Sequence, residues 1–112
     1  MAQFVVTDQG FTLAMSKWER LGSLHGDLEI PWQHVDSISH VEDLWVQLRG
    51  VRAPGTGIPG VIMLGTTRSR GGKDFCAVYK HRPGVVIELK NEFFARLLVT
   101  TNEILETPTR KT

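Results

Sequence analysis

One cysteine, one tyrosine and no long apolar run set the first limits on this chain of 112 residues. The lone Cys76 cannot close an internal disulfide, so the fold must stand on its core. Apolar runs such as Val61-Ile-Met-Leu64 fall far short of the ~20 residues that a helix needs to cross a bilayer. The opening Met-Ala-Gln-Phe-Val-Val lacks the basic start and apolar core of a secretory signal, so a cytoplasmic location is expected. The four histidines, His25, His34, His40 and His81, show no zinc-finger, zinc-ribbon or HExxH spacing. No metal or cofactor is therefore expected. No Gly-Lys-Ser or Gly-Lys-Thr completes a phosphate loop, and no nucleophile elbow surrounds Ser37 or Ser39. Cys76 sits on an alternating run and reads as a small core or interface residue. A binding role is expected ahead of an enzymatic one.

What is present is enough for one domain with a real core: 41% of the residues are apolar. The periodicity favours strands. Phe4–Thr7 and Phe11–Met15 flank the turn Asp8-Gln-Gly10. Ser16-Lys-Trp-Glu19 fits a capping box opening a short helix over about 17–25. Asp27–Ile30 and His34–Val41 are strand-like; Val35 and Val41 share one parity and Ile38 the other, which points to a bulge. Residues 42–48 fit a helical turn or a strand end equally well. Four more strands follow, at Val61–Arg68, Phe75–Lys80, Val85–Leu89 and Arg96–Thr101. They are joined by a glycine-pair turn at Gly71-Gly72, by Arg82-Pro-Gly84 and by Asn91-Glu92, which suggests an antiparallel meander. The expected fold is mainly β: a partly open antiparallel barrel or sandwich of seven or eight strands with one or two short helices. It would span residues 1–102, with 103–112 as a short tail.

Charge is unevenly distributed along the chain. Residues 1–48 carry seven acids and two bases, a net −5. Residues 49–82 carry seven bases and one acid, a net +6, and the remainder is balanced. Such a split points to an anionic partner, or to self-association of acidic and basic faces. The basic part opens on Arg49-Gly-Val-Arg-Ala-Pro-Gly-Thr-Gly-Ile-Pro-Gly60, which reads as a loop. It contains GxGxxG, but Pro59 lies inside the motif and no helix pattern follows, so a dinucleotide site is not expected. Gly55 and Gly57 could instead form a backbone anion nest flanked by Arg49 and Arg52. With Arg68, Arg70 and Lys73 of the hairpin, these residues make up the expected anion- or partner-binding surface. Trp18, Trp32 and Trp45 all lie in the acidic part, away from the bases, so nucleic acid is not the expected partner. A membrane surface has weak support, because the basic hairpin offers few apolar side chains to insert. A barrel or enzyme for a small anionic ligand is a further alternative.

The stretch from Arg49 to Leu89, with its Leu-Gly-Thr, Gly-Gly-Lys-Asp-Phe and Val-Val-Ile-Glu-Leu segments, resembles small bacterial proteins of the pleckstrin-homology-like group. The Trp-Glu-Arg-Leu segment near residue 20 is similar to the first part of the same proteins. The resemblance implies two roughly orthogonal antiparallel sheets with a C-terminal helix plugging one open end. It implies no enzymatic activity and no cofactor, since members of the wider fold bind phosphoinositides, peptides or other proteins. Here only Asn-Glu-Ile-Leu-Glu-Thr separates Thr101 from Pro108, so the plugging helix would be a turn or two long, and self-association could cover the open end.

Overall fold

The computed structural model describes residues 3–23, 26–48, 51–58, 61–102 and 105, with the backbone alone for 22, 23 and 51–56. Among these residues, nine strands form two sheets that do not close into a barrel. The small sheet pairs β1 (Gln3–Val6), β2 (Gly10–Ala14) and β3 (Leu28–Pro31) in order, all antiparallel. The large sheet contains β4 (Val35–Val41), β5 (Val51–Ile58), β6 (Ile62–Ser69), β7 (Gly72–Tyr79), β8 (Gly84–Leu89) and β9 (Arg96–Thr100). Its spatial order is β4-β8-β9-β7-β6-β5. The mainly β fold expected from the alternation is what is found.

The helix α1 (Lys17–Ser23) forms where the capping box placed it. The Ser16 N–H donates to Glu19 Oε1 at 2.9 Å, and the Glu19 N–H donates to Ser16 Oγ at 3.3 Å, so the cap is reciprocal. The helix packs against β5 and β6. Residues 44–47 form a 3-10 turn, capped by Asp43 Oδ1 accepting from the Trp45 N–H at 2.9 Å. The expected bulge in β4 is present as a register shift between Val35 and Ser37.

The large sheet is buried on both faces. One face meets the small sheet through Phe11, Leu13, Ile30, Phe75, Ile87 and Leu97. The other face gathers Met63, Cys76, Val78, Val86 and Leu98 under Leu44. Continuous apolar runs such as Val85-Val-Ile87 and Leu97-Leu-Val99 follow from this double burial.

Three local expectations are corrected. First, the strands after residue 60 do not form a simple meander: β9 inserts between β7 and β8, running parallel to β7 and antiparallel to β8. This parallel pair also departs from the wholly antiparallel sheets that the family resemblance implies. The four residues 80–83 can bridge the gap, because two strand spacings are about 9–10 Å and an extended residue reaches about 3.3 Å. Second, the glycine-rich run read as a loop holds an edge strand, β5, paired with β6 from Val51↔Arg68 to Ile58↔Ile62. A register shift between Arg52 and Gly55 takes up Ala53 and Pro54. Proline is tolerated there because an edge strand need not donate every N–H. Third, among the described residues positive φ angles fall at Gly65 (135°), Gly72 (118°), Lys80 (53°) and Asn91 (57°). The Arg82-Pro-Gly84 order suits a type II turn and the Gly71-Gly72 pair a type I′ turn, but neither Gly84 nor Gly71 takes the positive angle that these turns require. The C-terminal segment lies outside the described residues except at Thr101, Asn102 and Leu105. Leu105 is buried in the main core, and its N–H donates to His40 Nε2 at 3.1 Å.

Candidate functional site

The basic hairpin is built by strict register. Strands β6 and β7 pair from Ile62↔Tyr79 to Ser69↔Gly72, which sets Arg68 directly opposite Lys73 on one face. Arg70 occupies the turn. Like charges in direct cross-strand opposition oppose folding, so local stability does not account for this arrangement. Arg68 and Arg70 are exposed and form no ion pair among the described residues. The carboxylates of residues 1–48 do not neutralise them: Asp27 pairs with Arg20 at 3.1 Å and Asp36 with Lys90 at 3.6 Å.

A side chain that the sequence reading missed completes the surface. Phe93 lies in the 90–95 connection and is 66% exposed. Several contacts fix that connection. The Leu89 N–H donates to Ala95 O at 2.8 Å, and the Ala95 N–H donates to Lys73 O at 2.6 Å. His34 Nδ1 lies 2.5 Å from Glu92 Oε2. Phe94 enters the main core against Phe75, with ring centroids 5.4 Å apart, so its neighbour Phe93 is turned outward. Phe93 rests edge-on against Phe94 at 5.0 Å, and the Lys73 ammonium sits over its ring at 4.2 Å. Gly72 allows the two loops to approach: a Cβ there would meet the Ala95 Cβ at 3.1 Å. Hairpin and connection thus form one surface bearing Arg68, Arg70, Lys73 and Phe93. The signal available in the sequence was the Phe93-Phe94 pair, of which a short connection can bury only one.

Of the other expected site residues, Gly55 and Gly57 are not brought into that cluster. Arg49 lies outside the described residues. For Arg52 the backbone alone is described, opposite Thr67 on β5. Gly55 and Gly57 are paired with Gly65 and Met63 as strand residues, not in a loop.

A second feature lies on the small sheet. An open cleft of about 300 Å³ is lined by Thr7, Gln9, Thr12, Glu29 and Pro31 among others. Among the described residues, Glu29 is the one charged residue lining it. Glu29 and Asp8, the latter in the turn between Thr7 and Gln9, are exposed and form no ion pair among the described residues. Val5, Thr12 and Glu29 are successive register partners across the three strands, and Val5 is 54% exposed. The cleft is therefore acidic with an apolar border, and among the described residues no cation lines it.

Several titratable groups elsewhere are committed to structure. Burial pushes the Cys76 thiol up to about 12, with Thr67 Oγ1 4.0 Å from its Sγ, so the reactive thiolate is suppressed. Burial, then the hydrogen bond to Glu19, raises the Tyr79 phenol well above its usual range. Asp43 Oδ2 lies 2.7 Å from His81 Nδ1, and this contact is the main cause that lowers the Asp43 carboxyl from its ordinary value. His34 and His40 each have a separate partner, Glu92 and the Leu105 N–H. Among the described residues, no three His, Cys, Asp or Glu side chains come together as a metal site requires. Nor is any described helix long and apolar enough to cross a membrane. Comparison of the chain with protein-family models, with curated proteins and with solved structures gives no match.

Proposed function

We propose that this chain is a non-enzymatic binding module that recognises an anionic partner through the β6–β7 hairpin end and the adjoining 90–95 connection. The observation that carries this reading is the pair of exposed guanidinium groups of Arg68 and Arg70, without an ion-pair partner among the described residues. They stand beside a third cation, Lys73, on a fully registered hairpin. Guanidinium groups presented in this way suit bidentate contact with carboxylate or phosphate. Kinship with the bacterial pleckstrin-homology-like group, suggested by the sequence pattern, is part of the same proposal, as is a cytoplasmic setting.

The test is retention on immobilised heparin, used as a generic polyanion, over a salt gradient. Arg68→Ala/Arg70→Ala is expected to elute at lower salt than the parent while melting within about 1 kcal/mol of it, since surface changes away from packing contacts cost little. Equal elution of the two proteins would exclude this surface as the contact site.

A further inference from the structure

The basic end and the acidic cleft are complementary in chemistry, and they are neighbours in the fold. The Trp32 Nε1–H donates to Thr7 O at 2.8 Å, and the Trp32 N–H donates to Gln9 O at 3.0 Å, which ties the cleft to the 3-10 turn Trp32–His34. That turn is tied in its own right to the 90–95 connection, through His34 to Glu92 and through the Lys90 N–H donating to His34 O at 2.9 Å. Yet the two patches do not neutralise each other within one molecule. Asp8 and Glu29 on one side, and Arg68 and Arg70 on the other, lack ion-pair partners among the described residues.

We infer that the partner of the basic end is the acidic cleft of a second copy of this chain. The inference rests on the reading of that end as a contact surface. Three observations support this occupant. The charges are opposite, with Arg68, Arg70 and Lys73 set against Asp8 and Glu29. The apolar parts correspond, because Phe93 stands among the cations and Val5 borders the cleft. The sizes agree: a cavity of about 150 Å³ holds a benzene ring, so the cleft of about 300 Å³ has room for the Phe93 ring with the Lys73 ammonium beside it. Adjacent patches of opposite character satisfy a two-fold axis, each copy giving its basic end and receiving the other's. Exposed charge pairs dominate such a contact, so it weakens as salt shortens the screening length.

Two variants of the full chain separate the halves of the contact. Arg68→Ala/Arg70→Ala/Phe93→Ala removes the basic end and leaves the cleft. Asp8→Asn/Glu29→Lys removes the cleft and leaves the basic end. Sedimentation velocity over a concentration series at about 10 mM salt, where the screening length is about 30 Å, is the readout. The parent is expected to dimerise, and to return to monomer near 1 M salt, where that length is about 3 Å. Each variant alone is expected to bind itself at least ~10-fold more weakly, as each pair contributes up to about fivefold. An equimolar mixture of the two is expected to recover a heterodimer through the one intact half-contact, which also shows that both variants fold. A parent that stays monomeric throughout the low-salt series overturns the inference, as does a mixture no more associated than its components. Heparin retention distinguishes the two levels: a monomeric parent that heparin still retains through Arg68 and Arg70 keeps the anion-binding reading and removes the second copy. A monomeric parent that heparin does not retain removes both.

Discussion

Arg96 grips one oxygen of Asp74 twice, with Nε at 3.0 Å and Nη2 at 2.6 Å from Oδ2. The two residues face each other across the parallel β7–β9 pair, and their side chains are 12% and 1% exposed. The same Nη2 donates to Gln47 O at 2.9 Å, which fastens the 3-10 turn of residues 44–47 to the sheet. Removing one member of a buried pair leaves a charge with less compensation than it had in water. Arg96→Ala is therefore expected to cost about 3–5 kcal/mol in urea unfolding. A loss below about 1 kcal/mol would place this pair among solvent-screened ones.

The Tyr79 hydroxyl donates to Glu19 Oε2 at 2.5 Å, so the capping glutamate of α1, 2% exposed, also anchors the helix to the sheet. Tyr79→Phe is expected to destabilise the fold by about 1.5–3 kcal/mol, the range for a hydrogen bond to a charged group. The phenol is raised in the folded state above its ordinary value of 10.0, so it stabilises the fold below pH 10 and that contribution falls as pH rises beyond 10. Chemical denaturation at pH 8 and at pH 11 checks this: the gap between parent and Tyr79→Phe should narrow at the higher pH.

Cys76 should resist thiol reagents while the protein is folded. With the thiol near 12, the thiolate fraction at pH 8 is on the order of 10⁻⁴, and the sulfur is fully buried. Reaction with a disulfide reagent should follow global unfolding and become fast in denaturant. Fast labelling in native buffer would contradict the second core cluster.

Asp43 supplies a test in acid. Its carboxyl is held below the ordinary 3.8, first by the His81 contact and further by the Trp45 N–H, against an opposing effect of burial. A lowered folded value means that the carboxylate stabilises the fold above the ordinary range and loses that contribution as pH falls through the folded value. Carboxyl-carbon NMR should place the Asp43 midpoint below 3.8, and His81→Ala should move it upward.

Much of this architecture is readable from residue pattern. The Ser16 and Glu19 spacing specifies α1, and two-residue alternation specifies most of the strands. Strand β5 was hidden because glycine and proline normally signal loops, whereas an edge position with a register shift at Ala53 and Pro54 accepts both. The place of β9 was hidden because sequence periodicity reports which faces are buried but not which strand lies alongside. That same pairing hid the candidate surface, since Phe93 comes next to Lys73 only through the parallel contact of β7 with β9. Composition did reveal the charge split, and Arg68, Arg70 and Lys73 were read from it directly.

The insertion of β9 between β7 and β8 has a consequence during synthesis. Until residues 96–100 leave the ribosome, β7 and β8 each present a bare inner margin, and the four-residue link between them permits a direct hairpin that the finished sheet does not contain. The closing step must separate or forestall that hairpin, so β9, the last strand among the described residues, is the one that locks the sheet. Emergence of residues 96–100, rather than early collapse, should therefore set the moment at which the large sheet becomes complete.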